Sequence, residues 1–126
     1  MENKTVIELS EDIRAKKVSS RELVQNYLDR IEKYDSKFNT FITLTKDVAL
    51  KQADTVDKEI AKGNIKPLSG IPVAQKDIFC TKDVKTTCGS KMLSNFISPY
   101  DATVIEKFKD SGSIMLGKTN MDEFAM

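Results

Sequence analysis

Histidine is absent from this 126-residue chain, which removes at once a His-based catalytic triad, a His-ligated zinc site and an imidazole pH switch. Cysteine is scarce: Cys80 and Cys88 are the only two. They are too few for a disulfide scaffold and do not form a Cys-x-x-Cys pair, so the expectation is a reduced, cytoplasmic protein whose cysteines are structural. Excess charge is also lacking. Lys plus Arg total 20 and Asp plus Glu 19, a net charge of +1, so no global field gathers nucleic acid or anionic membrane. A nucleic-acid partner has to be met locally or through another chain. No apolar run reaches the roughly 18 residues that cross a bilayer. The opening Met1-Glu2-Asn3-Lys4 lacks the apolar stretch of a signal peptide, and no membrane partner is expected.

The composition that remains, 40% hydrophobic and 31% charged, is that of one ordinary soluble domain able to bury a core. Two Ser/Thr-x-x-Glu capping boxes, Thr5 with Glu8 and Ser19 with Glu22, each predict a helix start by satisfying free backbone donors. The second helix, about Ser20 to Tyr34, sets Leu23, Val24, Tyr27, Leu28, Ile31 and Tyr34 on one stripe, a face that packs. A β-favouring run, Phe41 to Thr45, precedes a third helix from about Asp47 to Lys62, with Ala49, Ala53, Val56 and Ile60 at helical spacing. Gly63 and Asn64 stop it as a left-handed C-cap would. From Pro67 the charge density falls, and Leu68 to Ala74 leads into a predicted buried strand ending near Asp77. A polar loop around Asp83 to Thr87 follows. Thr103 with Glu106 supplies a third capping box, for a helix ending near Asp110 with Gly112 as its stop, and Ser113 to Leu116 reads as another short strand. This order is α/β grammar.

Gly112-Ser113-Ile114-Met115-Leu116-Gly117-Lys118-Thr119 has the spacing of a P-loop, whose backbone amides cradle phosphates while its lysine neutralises them. That device needs a strand before the first glycine and a helix at the lysine. Here an amphipathic helix precedes Gly112, and Ile114, Met115 and Leu116 favour burial, so the match is read as helix stop, strand and turn.

Lys76 stands apart from the other basic residues because it follows the least charged stretch of the chain, Gly70 to Gln75. Its stem is expected to enter the interior. A desolvated lysine has its charged form disfavoured, and a neutral amine can take a proton from a serine hydroxyl, the route to an activated serine in a chain without histidine. The alternative is that Lys76 pairs with Asp77 at a strand end, and spacing alone favours it.

The stretch Gly70-Ile71-Pro72-Val73-Ala74-Gln75-Lys76-Asp77 resembles the lysine-bearing strand of the amidase signature family, whose catalytic device is a Ser, cis-Ser, Lys triad. Thr87 to Leu93, Tyr100 to Val104 and Gly117 to Met126 are similar in particular to the A, or glutaminase, subunits of tRNA-dependent amidotransferases within that family. The resemblance implies an α/β fold in which N-terminal helices precede the first strands of the mixed-sheet amidase signature fold, truncated. It makes residues 1–126 a single N-terminal portion of the domain, helical over about 1–66 and strand and loop over about 67–126. It implies Lys76 as the catalytic residue, with no metal- or cofactor-binding residue in this chain, ATP and magnesium being used by the complex. The implied partners are the B and C subunits, glutamine as substrate, and misacylated tRNA met through the complex. Ile78 stands where the family commonly has Asn. Both family serines lie downstream of the residues matching Asn120 to Met126, with the Gly-rich oxyanion hole, so the chain alone is expected to be inactive; Ser90 and Ser94 match other parts of the pattern. Two further readings are a fragment of a stand-alone amidase of the same family and a non-catalytic helical interaction module. A run such as Ile71 to Ala74 is then expected to keep an unpaired edge or a bare face.

Overall fold

A computed structural model describes residues 3–126; Met1 and Glu2, which belong to the segment read above for a leader, lie outside the described residues. Helix α1 spans Val6–Arg14 and α2 spans Ser20–Phe38, each entered through the complete capping box expected of it. In the second box the Ser19 hydroxyl accepts from the Glu22 amide at 3.1 Å and the Glu22 carboxylate accepts from the Ser19 amide at 2.9 Å. Helix α2 runs four residues past Tyr34 and stops at Asn39 in the left-handed region, φ +52°. There the Asp35 carboxylate accepts the next free donor, the Thr40 amide, at 2.8 Å. Strand β1 is Phe41–Leu44 and helix α3 is Lys46–Ala61. Past the end of α3, Gly63 (φ +88°) is left-handed, with Gly63 N–H bonded to Ile60 O at 3.0 Å and Asn64 N–H to Glu59 O at 2.9 Å, the paired bonds of a Schellman stop.

Strand β2 is Pro72–Lys76, helix α4 is Thr103–Asp110 and strand β3 is Ile114–Thr119. The third capping box does not form: Thr103 is already inside α4, and Ala102 is the N-cap. The chain turns one residue early because the Ala102 amide is anchored on Cys80 O at 2.8 Å, and the free amides behind it bond back to Ala102 O. Strand β3 is also longer than the expected Ser113 to Leu116.

The three strands form one mixed sheet in the order β1-β3-β2, with β1 antiparallel and β2 parallel to β3. Helices α2 and α3 cover one face, where Val24, Leu28, Ala49, Ala53, Ile114 and Leu116 form an apolar cluster. A second cluster joins Leu9 and Ile13 of α1 to Leu23, Ile60 and Ile71. Each large apolar side chain of these clusters contributes about 1.5–3 kcal/mol by leaving water. Helix α3 also caps α2, since the Asp57 carboxylate accepts from the Ser20 and Arg21 amides at 2.8 and 3.1 Å. The 77–102 segment covers the other face with buried polar side chains, among them Thr81, Thr86, Thr87 and Ser98.

A β-bulge divides β3. Val73 pairs with Met115 and Ala74 with Gly117, leaving Leu116 as the extra residue. Ile114 and Leu116 face the helices, and strict alternation would send Lys118 to the same side. The bulge reverses the alternation, and Lys118 turns to the loop side. Met115 groups displaced from the ladder find side chains instead: its amide donates to Gln52 Oε1 at 3.0 Å and its carbonyl accepts from Thr45 Oγ1 at 3.3 Å. Gly117 is required here, because a Cβ would lie 2.5 Å from Thr43 O on β1.

Candidate functional site

Strands β2 and β3 run parallel and end side by side, Lys76 opposite Thr119. Carboxyl ends of parallel strands are where the chain leaves the sheet in loops able to hold a ligand, and here those loops are residues 77–90 and 120–126. Lys76 therefore closes its strand at the rim of the molecule. Its side chain is exposed, not buried as the sequence led one to expect, and the strand is an edge strand, with only Gln75 of its five residues buried. The reason is alternation. Asp77 is fully enclosed on the loop side, which puts the preceding side chain on the opposite face, with Ala74 and Pro72.

The pairing alternative for Lys76 is not what the fold shows either, because the lysine facing Asp77 is Lys118. Both side chains are completely buried, with Lys118 Nζ 3.2 Å from Asp77 Oδ1. Lys118 Nζ also donates to Phe79 O at 2.8 Å and to Thr86 Oγ1 at 3.2 Å. Asp77 Oδ2 accepts from the Thr87 amide at 3.0 Å and the Thr87 hydroxyl at 2.5 Å. Burial pushes the Lys118 ammonium below its ordinary pKa, and the Asp77 carboxylate pulls it back. Lys118 is the desolvated lysine of this molecule. The signal was in the sequence, since Ile114-Met115-Leu116-Gly117 is as apolar a lead-in as the one before Lys76, but helix-then-strand order hid its meaning. The P-loop reading finds no geometry to use: Gly117-Lys118-Thr119 lies inside strand β3 rather than opening a helix, and the lysine is consumed by its buried partners.

The loop after Asp77 returns to the strand end. Cys88 N–H donates to Asp77 O at 3.0 Å, and Cys88 O accepts from Phe124 N–H at 2.8 Å. Ser90 Oγ donates to Glu123 Oε1 at 2.6 Å. Left-handed backbone is concentrated at this contact, with φ of +52° at Cys88, +51° at Phe124 and +61° at Ala125. Each non-glycine residue held this way costs about 1–2 kcal/mol, a stress carried where a structure must hold a set shape. Ser90 is thus occupied by Glu123. An open groove of about 390 Å³ lies beside these loops, lined by Thr87, Gly89, Ser90, Lys91, Ser94 and Asn120 among others. A larger groove of about 870 Å³ runs along α2 past Pro72 and Ala74 without reaching Lys76.

Cys80 and Cys88 are free thiols. Burial, then the neighbouring Asp77 carboxylate, raises the Cys88 thiol above its ordinary pKa, the opposite of what a nucleophilic thiolate needs. Among the described residues no group of three or more His, Cys, Asp or Glu is placed to hold a metal ion, and no helix is long and apolar enough to cross a membrane.

Comparison with known proteins places this geometry. A family described as Amidase matches residues 22–126. The A subunit of the glutamyl-tRNA(Gln) amidotransferase of Coxiella burnetii (strain Dugway 5J108-111) is 58% identical over 126 residues, all of this chain and 26% of the relative. The protein of the same name from Methylococcus capsulatus is 56% identical over the same span. The chain thus corresponds to about a quarter of the length of the curated relatives it matches. Among solved structures, the native peptide amidase from Stenotrophomonas maltophilia superposes with a TM-score of 0.91 at 34% identity, over 97% of this chain and 26% of that one. A bacterial aryl acylamidase of the amidase signature enzymes gives 0.90 at 26% identity, over 96% of this chain and 26% of that one.

Proposed function

The chain belongs to the amidase family, and from that premise we propose that it forms the N-terminal part of the glutamine-hydrolysing component, the A subunit, of a tRNA-dependent amidotransferase. The observation that carries this reading is identity of 54–58% along the chain to proteins of that name, well above the 34% shared with the peptide amidase. Lys76 is the catalytic lysine in this proposal. It is exposed at the carboxyl end of a parallel strand, open to whatever part of an active site is brought against it.

The proposed chemistry is acyl transfer. A neutral Lys76 amine takes the proton of a bridging cis-serine, which activates a second serine to attack the side-chain amide carbon of glutamine. The carbon–nitrogen bond breaks, ammonia leaves, and water hydrolyses the acyl-enzyme to glutamate. Backbone donors stabilise the tetrahedral oxyanion in such a reaction. The serines and these donors are assigned to sequence outside the 126 residues, so the chain alone releases no ammonia. The B and C subunits receive the ammonia and, with ATP and magnesium, amidate a misacylated tRNA in the cytoplasm. The near-neutral charge of the chain fits a role in which tRNA is met by other subunits.

The test is to graft this chain in place of the matching N-terminal quarter of the Coxiella burnetii relative, assemble the graft with its partner subunits, and measure ammonia release from glutamine. The expected result is turnover in the graft and none in the isolated chain. Glutamine hydrolysis by the isolated chain, or an inert graft that nonetheless folds and assembles, contradicts the reading.

A further inference from the structure

Burying two charges to make one ion pair brings little stability, because the loss of hydration cancels most of their attraction and an apolar pair of similar volume does as well or better. The Lys118–Asp77 pair is nevertheless completely enclosed, and the proposed chemistry leaves it unused. Its place in the chain is informative, since Asp77 directly follows Lys76 and is held from several directions. Its N–H donates to Thr119 O at 3.3 Å and its carbonyl accepts from Cys88 N–H at 3.0 Å. One carboxylate oxygen receives both Thr87 donors and the other faces Lys118. Lys118 in turn joins β3 to Phe79 O and Thr86 Oγ1 in the turn beyond β2. An apolar side chain could fill the same volume, but packing is non-directional and would not fix residue 77 at these points.

We propose that the buried Lys118–Asp77 pair is a positioning device for Lys76, clamping residue 77 on the inner face of the sheet so that the Lys76 amine stands at a set place on the other face. This rests on the reading of Lys76 as the base. Lys118 and Asp77 touch no reacting atom; they act through Lys76.

The variant that tests it is Asp77→Asn with Lys118→Met, which removes both charges together and leaves neither one stranded. Thermal stability is expected to stay near that of the parent. Amide exchange at Asp77 and Cys88, followed by NMR in this chain, is expected to quicken at least about tenfold because the three contacts of Lys118, to Asp77, Phe79 O and Thr86 Oγ1, are gone. In the graft, kcat for glutamine hydrolysis is expected to fall about 10–100-fold with KM within about twofold, the pattern of a base held slightly out of place. A double variant with parent-like stability, exchange and kcat overturns the proposal. Should the double variant fail to fold, Thr87→Val removes one neutral hydroxyl from the clamp; quickened exchange at Asp77 and a few-fold lower kcat support the proposal, and parent-like values of both overturn it. Full turnover in a Lys76→Met graft contradicts the base reading itself, whereas parent-like exchange in the double variant contradicts only the clamp.

Discussion

The two faces of one small sheet are held in opposite ways. On the helix side, Val24, Leu28, Ala49, Ala53, Ile114 and Leu116 meet through apolar contact, with a few polar bonds beside them, such as that from the Met115 amide to Gln52 Oε1. On the loop side the same strands meet Asp77, Thr81, Thr86, Thr87 and Ser98, with Lys118 at the centre. Apolar packing tolerates small shifts, because its energy depends on area and not on angle. A buried hydrogen-bonded network has one satisfied arrangement, and any other leaves polar groups unpaired. In the proposed reading, in which Lys76 is the base, the face that sets the position of its amine is therefore the directional one, while the helix side supplies stability in bulk. The two lysines at the ends of β2 and β3 express this division: Lys118 holds the structure, and Lys76 is left free at the rim.

The largest expected effect comes from breaking the polar face one charge at a time. Lys118→Met strands the Asp77 carboxylate in the interior and should cost about 3–5 kcal/mol in urea denaturation. Leu28→Ala, on the apolar face, should cost a comparable 2–5 kcal/mol or so. The difference lies in repair, since Asp77→Asn should recover most of the first loss and none of the second. An unrescued Lys118→Met would show that the loop side is not organised around this pair.

Gly117→Ala ranks next, because the added methyl meets Thr43 O at 2.5 Å and must push β1 away from the bulge. An expected loss of about 1–3 kcal/mol, with faster tryptic cleavage near β1, can be read by denaturation and limited proteolysis. Parent-like stability would mean that the bulge does not depend on close approach of β1.

A smaller effect follows from pH. Backbone amide and hydroxyl bonds of Thr5 and Ser19, the amide first in each case, hold the carboxyls of Glu8 and Glu22 below their ordinary value of 4.5. A carboxyl whose pKa is lower folded than unfolded adds stability that is fully present above the unfolded value and is lost as pH falls through the folded one. Acid should therefore loosen the helix side from about pH 4.5 downward, and Glu22→Gln should flatten that slope in a thermal titration. An unchanged slope would place the acid sensitivity elsewhere. Least of all should change on replacing Cys80 and Cys88 with Ala, and Cys88 should alkylate more slowly at neutral pH than an ordinary exposed thiol. Rapid Cys88 labelling would reveal a thiolate that the Asp77 carboxylate ought to disfavour.

The division between the faces also explains what could be read in the sequence. Helices α1, α2 and α3 were legible because their signals are local, in the Thr5 and Ser19 boxes, the Leu23 to Ile31 stripe and the Gly63 stop. Similarity to the amidase family was legible in the segments around Lys76 and after Gly117. The cap of α4 was misread because the anchor of Ala102 on Cys80 O lies far away in the chain. Burial of Lys118 depends on a bulge that reverses β3, and that bulge depends on β1 reaching Gly117. The threonines and serines between residues 81 and 98 read as a wet loop, since only a folded partner shows that a polar side chain is satisfied out of water.

The most direct test of the division is one substitution read in two ways. Lys76→Met in the grafted amidotransferase should leave the thermal midpoint within about 2 °C, as expected for an exposed side chain, while ammonia release from glutamine falls by about 10³-fold or more. Turnover within tenfold of the parent, or a midpoint that drops as far as that of Lys118→Met, would contradict the assignment of chemistry to the free lysine and of structure to the buried one.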